Sequence, residues 1–380
     1  MSDTHIHILS FDVPYPPDYG GVIDVFYKIK ALHQAGVRIH LHCFMYGRQK
    51  QEALEAYCAT VHYYPRSAMW KAMFSAYPFI VRSRNAPDLL RNLAEDNYPI
   101  LFEGMHCCYY LADPLLRDRL KMVRMHNNEP QYYLDLARRE KSTFRKLYYY
   151  EEYKRLSRFE PQLQCADKIF SIARDEALYY GMRFPSTEYL APFHGNSKVT
   201  SAIGTGTYAL YHGNLSVNEN IRAVEFLVQD VWKDLHIPLV IAGKNPPESM
   251  KTWIRNNDHI RLIENPSSSV LHDLIRDAQV NVLPAFQETG VKLKLINTLF
   301  SGRFCIVNTN MIAHTGLDAF CFVEDTTQGF REKISQCMEL PFDNLALMER
   351  RKIEALYTDE REVQKIISFV QKNFPPQPSR

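Results

Sequence analysis

The chain alternates short apolar strands with helical segments from end to end. It does so twice, on either side of the small, glycine-rich stretch Thr200–Gly206 (TSAIGTG). Strand-like runs in the first half fall at Ile6–Phe11, Arg38–Phe44, Val61–Tyr64, Ile100–Glu103, Met122–His126 and Lys168–Ile172, with a long Tyr/Arg-rich helical region, Gln131–Arg158, between the last two. In the second half they fall at Tyr208–His212, Pro238–Ala242, Ile260–Ile263, Val280–Leu283 and Phe304–Val307. Strands spaced by helix-length connections pair in parallel through right-handed crossovers, with helices covering both faces. The pattern predicts an α/β chain of two doubly wound domains, residues 1–199 and 200–356, facing a cleft. Residues 357–380 form a last helix and tail that can cross back to the first domain; Val363, Ile366, Ile367, Val370 and Phe374 share one face of that helix.

Size fits this division, because 380 residues exceed one ordinary core. A net charge of +2 supplies no electrostatic footprint for nucleic acid. No run of 18 apolar residues is available to span a bilayer. The strand-like HIHILSF stands where an export signal would need a basic and then an apolar region, so the expectation is a cytoplasmic protein. Eight cysteines occur without a CxxC, and Cys43, Cys165, Cys305 and Cys321 lie in apolar surroundings. Neither a disulfide framework nor a zinc site is expected.

In sheets of this type, ligands bind beyond the carboxyl ends of the strands. The first such loop, PYPPDYGG, places Gly20 and Gly21 at the start of a helix, where backbone N–H groups can approach a phosphate. It is not GxGxxG, and no acidic residue ends the second strand, so a dinucleotide site is weakly supported. FEGMHCCYY puts Glu103 and His106 beyond the fourth strand, and RMHNNEP puts His126, Asn127 and Glu129 beyond the fifth. A histidine there can hold a sugar hydroxyl or accept a proton near neutral pH. The spacing matches no metal pattern. His5, His7, His40 and His42 alternate along strands and read as packed or surface residues.

The most informative stretch is Val280–Asn308 (VNVLPAFQETGVKLKLINTLFSGRFCIVN), which reads as strand, polar loop, helix, tight turn and strand. The loop Gln287–Gly290 opens a helix whose first-turn amides form an anion site. Lys292 and Lys294 add cations, and Glu288 offers a carboxylate for sugar hydroxyls. No GxSxG, SxxK, P-loop or Asp-x-Asp occurs, so neither a nucleophilic hydrolase nor a diphosphate clamp on a divalent metal is indicated.

Four segments together resemble the group 1 glycosyltransferases, the retaining, nucleotide-sugar-dependent family 4 enzymes of the GT-B fold. GGVIDVFYKIKALHQAGVRIHL is similar to their opening helix, ALYHGNLSVNENIRAVEFL to the start of their second domain, LVIAGKNP to their glycine turn at Gly243, and Val280–Asn308 to their donor motif. The resemblance spans nearly the whole chain and implies two Rossmann-like domains. It implies that Gly20, Gly21 and Gly290 bracket the nucleotide diphosphate, with Gly213, Asn214, Lys244, Lys292 and Lys294 also on the donor. His106 matches the family's histidine near the reacting sugar, and Glu288 is nearest to its first donor-motif glutamate. Asn297 stands where a second glutamate usually holds the ribose. Asn214 and Glu219 stand where an Arg and a Lys often meet the diphosphate. Acceptor contacts fall to Glu103, His126, Asn127 and Glu129.

The resemblance implies hexosyl transfer to a hydroxyl acceptor, without cofactor or essential metal, in cell-surface polysaccharide or glycoconjugate synthesis. A sugar-nucleotide epimerase of the same architecture, or a non-catalytic nucleotide- or glycan-binding paralogue, are the alternatives. The partners are a nucleotide-sugar donor and a saccharide or lipid-linked acceptor. Met69–Arg84 and the basic region Arg138–Arg158 suit either contact with the inner face of the cytoplasmic membrane or a packed loop and a solvated helix. Tyr148–Tyr150 suit either stacking on sugars or packing between helices.

Overall fold

A computed structural model describes residues 4–67, 75–255, 257–286, 293–313 and 315–374. The chain forms two compact units, one running to Phe193 and completed by the segment from Asp359 onward, the other spanning His194–Thr358.

The first unit holds seven strands: β1 (His5–Ser10), β2 (Arg38–Met45), β3 (Thr60–Pro65), β4 (Ile100–Glu103), β5 (Lys121–Met125), β6 (Lys168–Ser171) and β7 (Thr187–Tyr189). They pair in parallel in the order β3-β2-β1-β4-β5-β6-β7. The order reverses between β1 and β4, so the loops after these strands flank the switch point. Alternation along β1 decides its two faces. Ile6 and Ile8 pack with Val25, Ile29 and Leu32 of the helix Gly20–Gln34. The last helix, Asp359–Asn373, adds Val363, Ile366, Ile367 and Val370 to the same cluster, and Glu362 accepts a 2.7 Å bond from the Ala191 amide.

His5 and His7 point to the opposite face, where they meet a ladder. His5 Nδ1 lies 3.0 Å from His40 Nε2, His7 Nδ1 lies 2.9 Å from His42 Nε2, and His42 Nδ1 lies 2.8 Å from the Tyr64 hydroxyl. Asp96 accepts from His7 Nε2 at 3.0 Å. The long helical region is two helices, Glu129–Arg139 and Thr143–Phe159, packed on each other with Tyr133 and Tyr149 between them.

The second unit repeats the design with six parallel strands: β8 (Ala209–Asn214), β9 (Leu239–Lys244), β10 (Ile260–Glu264), β11 (Val280–Leu283), β12 (Phe304–Val307) and β13 (Phe322–Val323). Their order is β10-β9-β8-β11-β12-β13, with the switch between β8 and β11. The helix Leu293–Ser301 after β11 is buried on most sides through Leu293, Leu295, Ile296, Thr298, Leu299 and Phe300.

Thr200–Gly206 differs from the linker that its composition predicts. The Thr200 amide donates to the Phe300 carbonyl at 2.7 Å, Gly204 bridges Phe342, and the Gly206 amide donates to Gln279 Oε1 at 2.6 Å. Small residues here allow close approach: a Cβ on Gly206 would lie 2.5 Å from the Asp277 carbonyl oxygen. The second unit accordingly begins at His194, before the boundary at 200 read from the sequence.

Candidate active site

Beneath the switch point of the first sheet lies a buried charged network. Asp24 and Lys28 sit one turn apart on the helix Gly20–Gln34, and Lys28 Nζ is 3.0 Å from Asp24 Oδ2. The same ammonium donates to Glu103 Oε1 at 2.7 Å and Oε2 at 2.8 Å. Arg124 on β5 bonds Asp24 at 2.8 Å and the carbonyls of Leu190 and Ala191. His126 Nε2 lies 2.9 Å from Glu103 Oε2. Burial opposes ionisation of both carboxyls. Arg124 and Lys28 outweigh it at Asp24, and Lys28 and His126 outweigh it at Glu103, so both are held below their usual range.

Glu103, expected at the acceptor, is therefore corrected to a support: it is wholly buried, and both its oxygens are engaged from within. Asp24, Glu103 and His126 converge as metal ligands would, but the Lys28 ammonium already supplies the cation there. His126, on top of this network, is 9% exposed at its side chain.

His106 follows β4 on a short 3-10 turn, after Gly104 with φ 73°. A Cβ on Gly104 would lie 2.9 Å from His106 Nδ1, so glycine is what lets the ring fold back against the strand end. The His106 side chain is 23% exposed, but its Nδ1 is buried without a hydrogen-bond partner, and Glu129 Oε1 lies 3.9 Å from it. The Phe11 ring, 5.7 Å away, covers one side. Burial, then the charges of Arg84, His126 and Arg66, keep the imidazole neutral well below its ordinary pKa. Glu129 is pushed the other way, up to about 8, by burial and by Glu176, against the opposing pull of Arg84 and a bond from Asn127. At neutral pH the pair is a neutral imidazole beside a protonated acid, an arrangement able to accept and donate a proton without net charge.

The other expected donor and acceptor residues fall as follows. Gly20 and Gly21 open their helix behind Tyr19. A Cβ on Gly21 would strike the Phe11 ring at 2.7 Å, whereas nothing lies within 4 Å of one on Gly20. Gly21 is thus required by packing, and Gly20 leaves open backbone. In the second unit Gly213 and Gly243 meet at the ends of β8 and β9; a Cβ on Gly243 would lie 1.9 Å from the Gly213 carbonyl oxygen. Asn214 is turned to its own loop, its Oδ1 accepting from the Ser216 amide and hydroxyl. Lys244 is exposed at the end of β9.

Lys294 donates to Asn220 Oδ1 at 2.9 Å and lies over the Tyr211 ring. Asn297 Oδ1 accepts from Asn196 at 2.8 Å. Each unit thus collects its residues at the carboxyl edge of its own sheet. Glu288, Gly290 and Lys292 lie outside the described residues, as does Met69–Phe74 of the expected membrane stretch. The rest of that stretch is packed: Ile80 and Val81 join the core.

Three contributors escaped the sequence reading: Asp24, Lys28 and Arg124. A signal was present in an Asp and a Lys four apart within the apolar run VIDVFYKIKAL, although such spacing ordinarily marks a solvated pair. Phe11 and Gly104 were missed too, since neither carries chemistry itself.

No family model matches the chain. An uncharacterized 44.6 kDa protein in the cps region of Klebsiella pneumoniae is 27% identical over 328 residues, 80% of this chain and 83% of its own length. Among solved structures, a glycosyltransferase from Rickettsia africae superposes with a TM-score of 0.64 at 11% identity, covering 99% of this chain and all of that one. The UDP-forming α,α-trehalose-phosphate synthase of Burkholderia xenovorans, solved with glucose 6-phosphate, gives 0.62 at 9% identity over 97% of this chain and all of its own. With its two parallel, doubly wound sheets, the chain has the fold of the GT-B glycosyltransferases.

Proposed function

We propose that the chain is a retaining glycosyltransferase that moves a sugar from a nucleoside-diphosphate donor to a hydroxyl acceptor in cell-surface polysaccharide synthesis. The observation that carries the reading is His106, neutral and with part of its ring exposed, at the switch point of a GT-B sheet. In this reading the donor lies on the second unit, where glycine backbone at Gly213 and Gly243 and the Lys294 ammonium meet the diphosphate. The acceptor hydroxyl attacks the anomeric carbon from the face that the diphosphate leaves. His106 orients the reacting sugar or takes the acceptor proton, and Glu288 positions the donor. Asn127, Glu129 and His126 shape the acceptor side. Leaving-group charge is met by amides and lysines, so no divalent metal is invoked. The Klebsiella relative in a cps region supports the assignment to polysaccharide.

The helix Thr143–Phe159 supports membrane contact. Phe144 is 83% and Leu147 60% exposed, three residues apart, with exposed Lys141, Arg145 and Lys146 beside them. Aromatic and aliphatic side chains among cations suit an anionic lipid surface.

The test is thermal unfolding with UDP, GDP, dTDP or NAD, each with and without magnesium. A ligand at a hundredfold over its Kd stabilises by about 2.7 kcal/mol, at roughly 2–4 °C per kcal/mol for a single domain of about 150–250 residues. A magnesium-independent shift with one nucleoside diphosphate is expected, and it names the donor base. With that donor in hand, His106→Ala should lose most turnover and keep the melting temperature. A nucleotide shift without any transfer would instead favour the non-catalytic binder, and a shift with NAD alone would overturn the assignment.

A further inference from the structure

The carboxyl edge of the first sheet carries more cationic charge than its carboxylates neutralise. Arg66, one residue past β3, donates to Ser83 Oγ at 3.1 Å and lies over the Tyr46 ring at 4.0 Å. Arg82 donates to the Tyr109 hydroxyl at 3.2 Å. Arg84, 3% exposed, donates only to carbonyls: Phe11 at 2.9 Å and Ile80 at 2.5 Å. Among the described residues no carboxylate oxygen pairs with any of the three. The acids nearby are committed. Asp12 and Asp18 hold Arg48, Asp24 holds Lys28 and Arg124, and Glu152 holds Arg155 and the Phe79 amide; Asp12 reaches Arg66 and Arg84 only through space, without an ion pair. Glu129, the acid beside His106, is kept protonated by burial and supplies no compensating charge at neutral pH.

A buried, unpaired guanidinium is costly, and burial lowers the pKa of Arg84 to about 10. Chains retain such an arrangement where a ligand brings the missing anion. Contacts link this charge to the site: Arg66 holds Ser83, Arg84 follows it and holds the Phe11 carbonyl, and the Phe11 ring lies against His106. Both arginines act on the His106 imidazole. Arg66 covers one face of the Tyr46 ring, and this tyrosine, 66% exposed, has its other face for a sugar ring to stack on.

We propose that the acceptor is an anionic sugar whose phosphate or carboxylate is bound by Arg66, over the buried charge of Arg84, with the sugar presented to His106. This deepens the transferase reading and rests on it. A planar guanidinium suits either oxyanion.

The experiment is calorimetric titration of the full chain with glucose 6-phosphate, glucuronate and glucose at fixed ionic strength, alongside the nucleoside diphosphates. At least one anionic sugar should bind about tenfold or more tightly than glucose, and Arg66→Gln should remove about tenfold of that affinity. Whichever of the two binds more tightly tells phosphate from uronate. Arg66 is half-buried and bonded through one hydroxyl, so its variant should fold; its melting temperature checks this, and Tyr46→Ala gives a second, milder loss. Equal binding of glucose, undiminished binding to Arg66→Gln, or loss in Lys294→Gln in place of Arg66→Gln would each overturn the proposal. Failure of all three sugars with a nucleoside diphosphate still bound would overturn it and leave the transferase reading intact. Failure of the nucleotides alone would strike that reading.

Discussion

Lys28 Nζ lies 2.7 Å from Glu103 Oε1, and neither side chain is exposed to solvent. The pair joins the first helix to the end of β4 directly beneath His106 and His126. A buried charge whose partner is removed costs about 3–5 kcal/mol. Lys28→Met should therefore destabilise by about that much in urea unfolding, because it leaves Asp24 and Glu103 facing one another. Glu103→Gln should cost less, since the amide still accepts from Lys28. Wild-type stability in Lys28→Met would mean that Arg124 and His126 alone balance both carboxylates.

The raised Glu129 makes stability depend on pH with a definite sign. Unfolded, this carboxyl ionises around 4.5; folded, it keeps its proton to about 8. Between those values the folded state holds a proton that the unfolded state has released. Stability therefore falls as pH rises, by about 1.4 kcal/mol per unit at most. Histidines with depressed pKa act oppositely. His40 at about 4 and His212 at about 3 lose stability as pH falls below 6.5, and neither adds slope above it. Glu176, at about 7, shares the fall over only the first half unit. Stability should thus decline between pH 6.5 and 8, and Glu129→Gln, shaped like the protonated acid, should remove most of that decline. Urea midpoints at three pH values decide it, and an unchanged slope in the variant would reject Glu129 as the source.

Much of the fold was legible because apolar alternation is a local property. β1, β4, β8 and β11 are short apolar runs whose neighbours along the chain are helices. The loops bearing His106, His126 and Glu129 could be placed at strand ends for the same reason. What stayed hidden was pairing across the sheet. Glu103 looked available because a strand-end carboxylate normally is, and only the fold brings Lys28, 75 residues away in sequence, onto both of its oxygens. Thr200–Gly206 looked like a linker because small residues give flexibility or close approach, and composition does not separate the two. Asn214 reads as a donor ligand from its place after β8, and the structure adds that its Oδ1 closes its own turn, a frequent habit of Asn.

The glycines separate two roles that a motif merges. Gly243→Ala places a Cβ 1.9 Å from the Gly213 carbonyl oxygen and 2.8 Å from Leu215, so β8 and β9 must part at their ends. A loss of about 1–3 kcal/mol is expected, as for other overpacked sites, with weaker nucleotide binding. Gly20→Ala meets nothing within 4 Å. It should fold and melt as the parent does. Only if phosphate-bearing ligands approach that helix end will it lose affinity. Melting curves and nucleotide titrations on the two variants distinguish scaffold from contact; a Gly243→Ala that melts like the parent with unchanged binding would remove the strand ends from the donor site.

Exposure on the helix Thr143–Phe159 gives the membrane contact its own test. Phe144 and Leu147 present apolar surface to water beside Lys141, Arg145 and Lys146, and the neighbouring Tyr149 packs on Tyr133 and is not part of the patch. Removing apolar area at solvent-exposed positions should leave the fold unharmed, so Phe144→Ser/Leu147→Ser should melt like the parent. Its partitioning onto vesicles containing anionic lipid should fall about tenfold, since about 1.4 kcal/mol is lost by withdrawing two such side chains partway from the interface. Raising salt should weaken the parent's binding through the lysines and arginine. Vesicle sedimentation at two salt concentrations reads both effects. If parent and double variant sediment alike, Phe144 and Leu147 carry no part of any membrane contact.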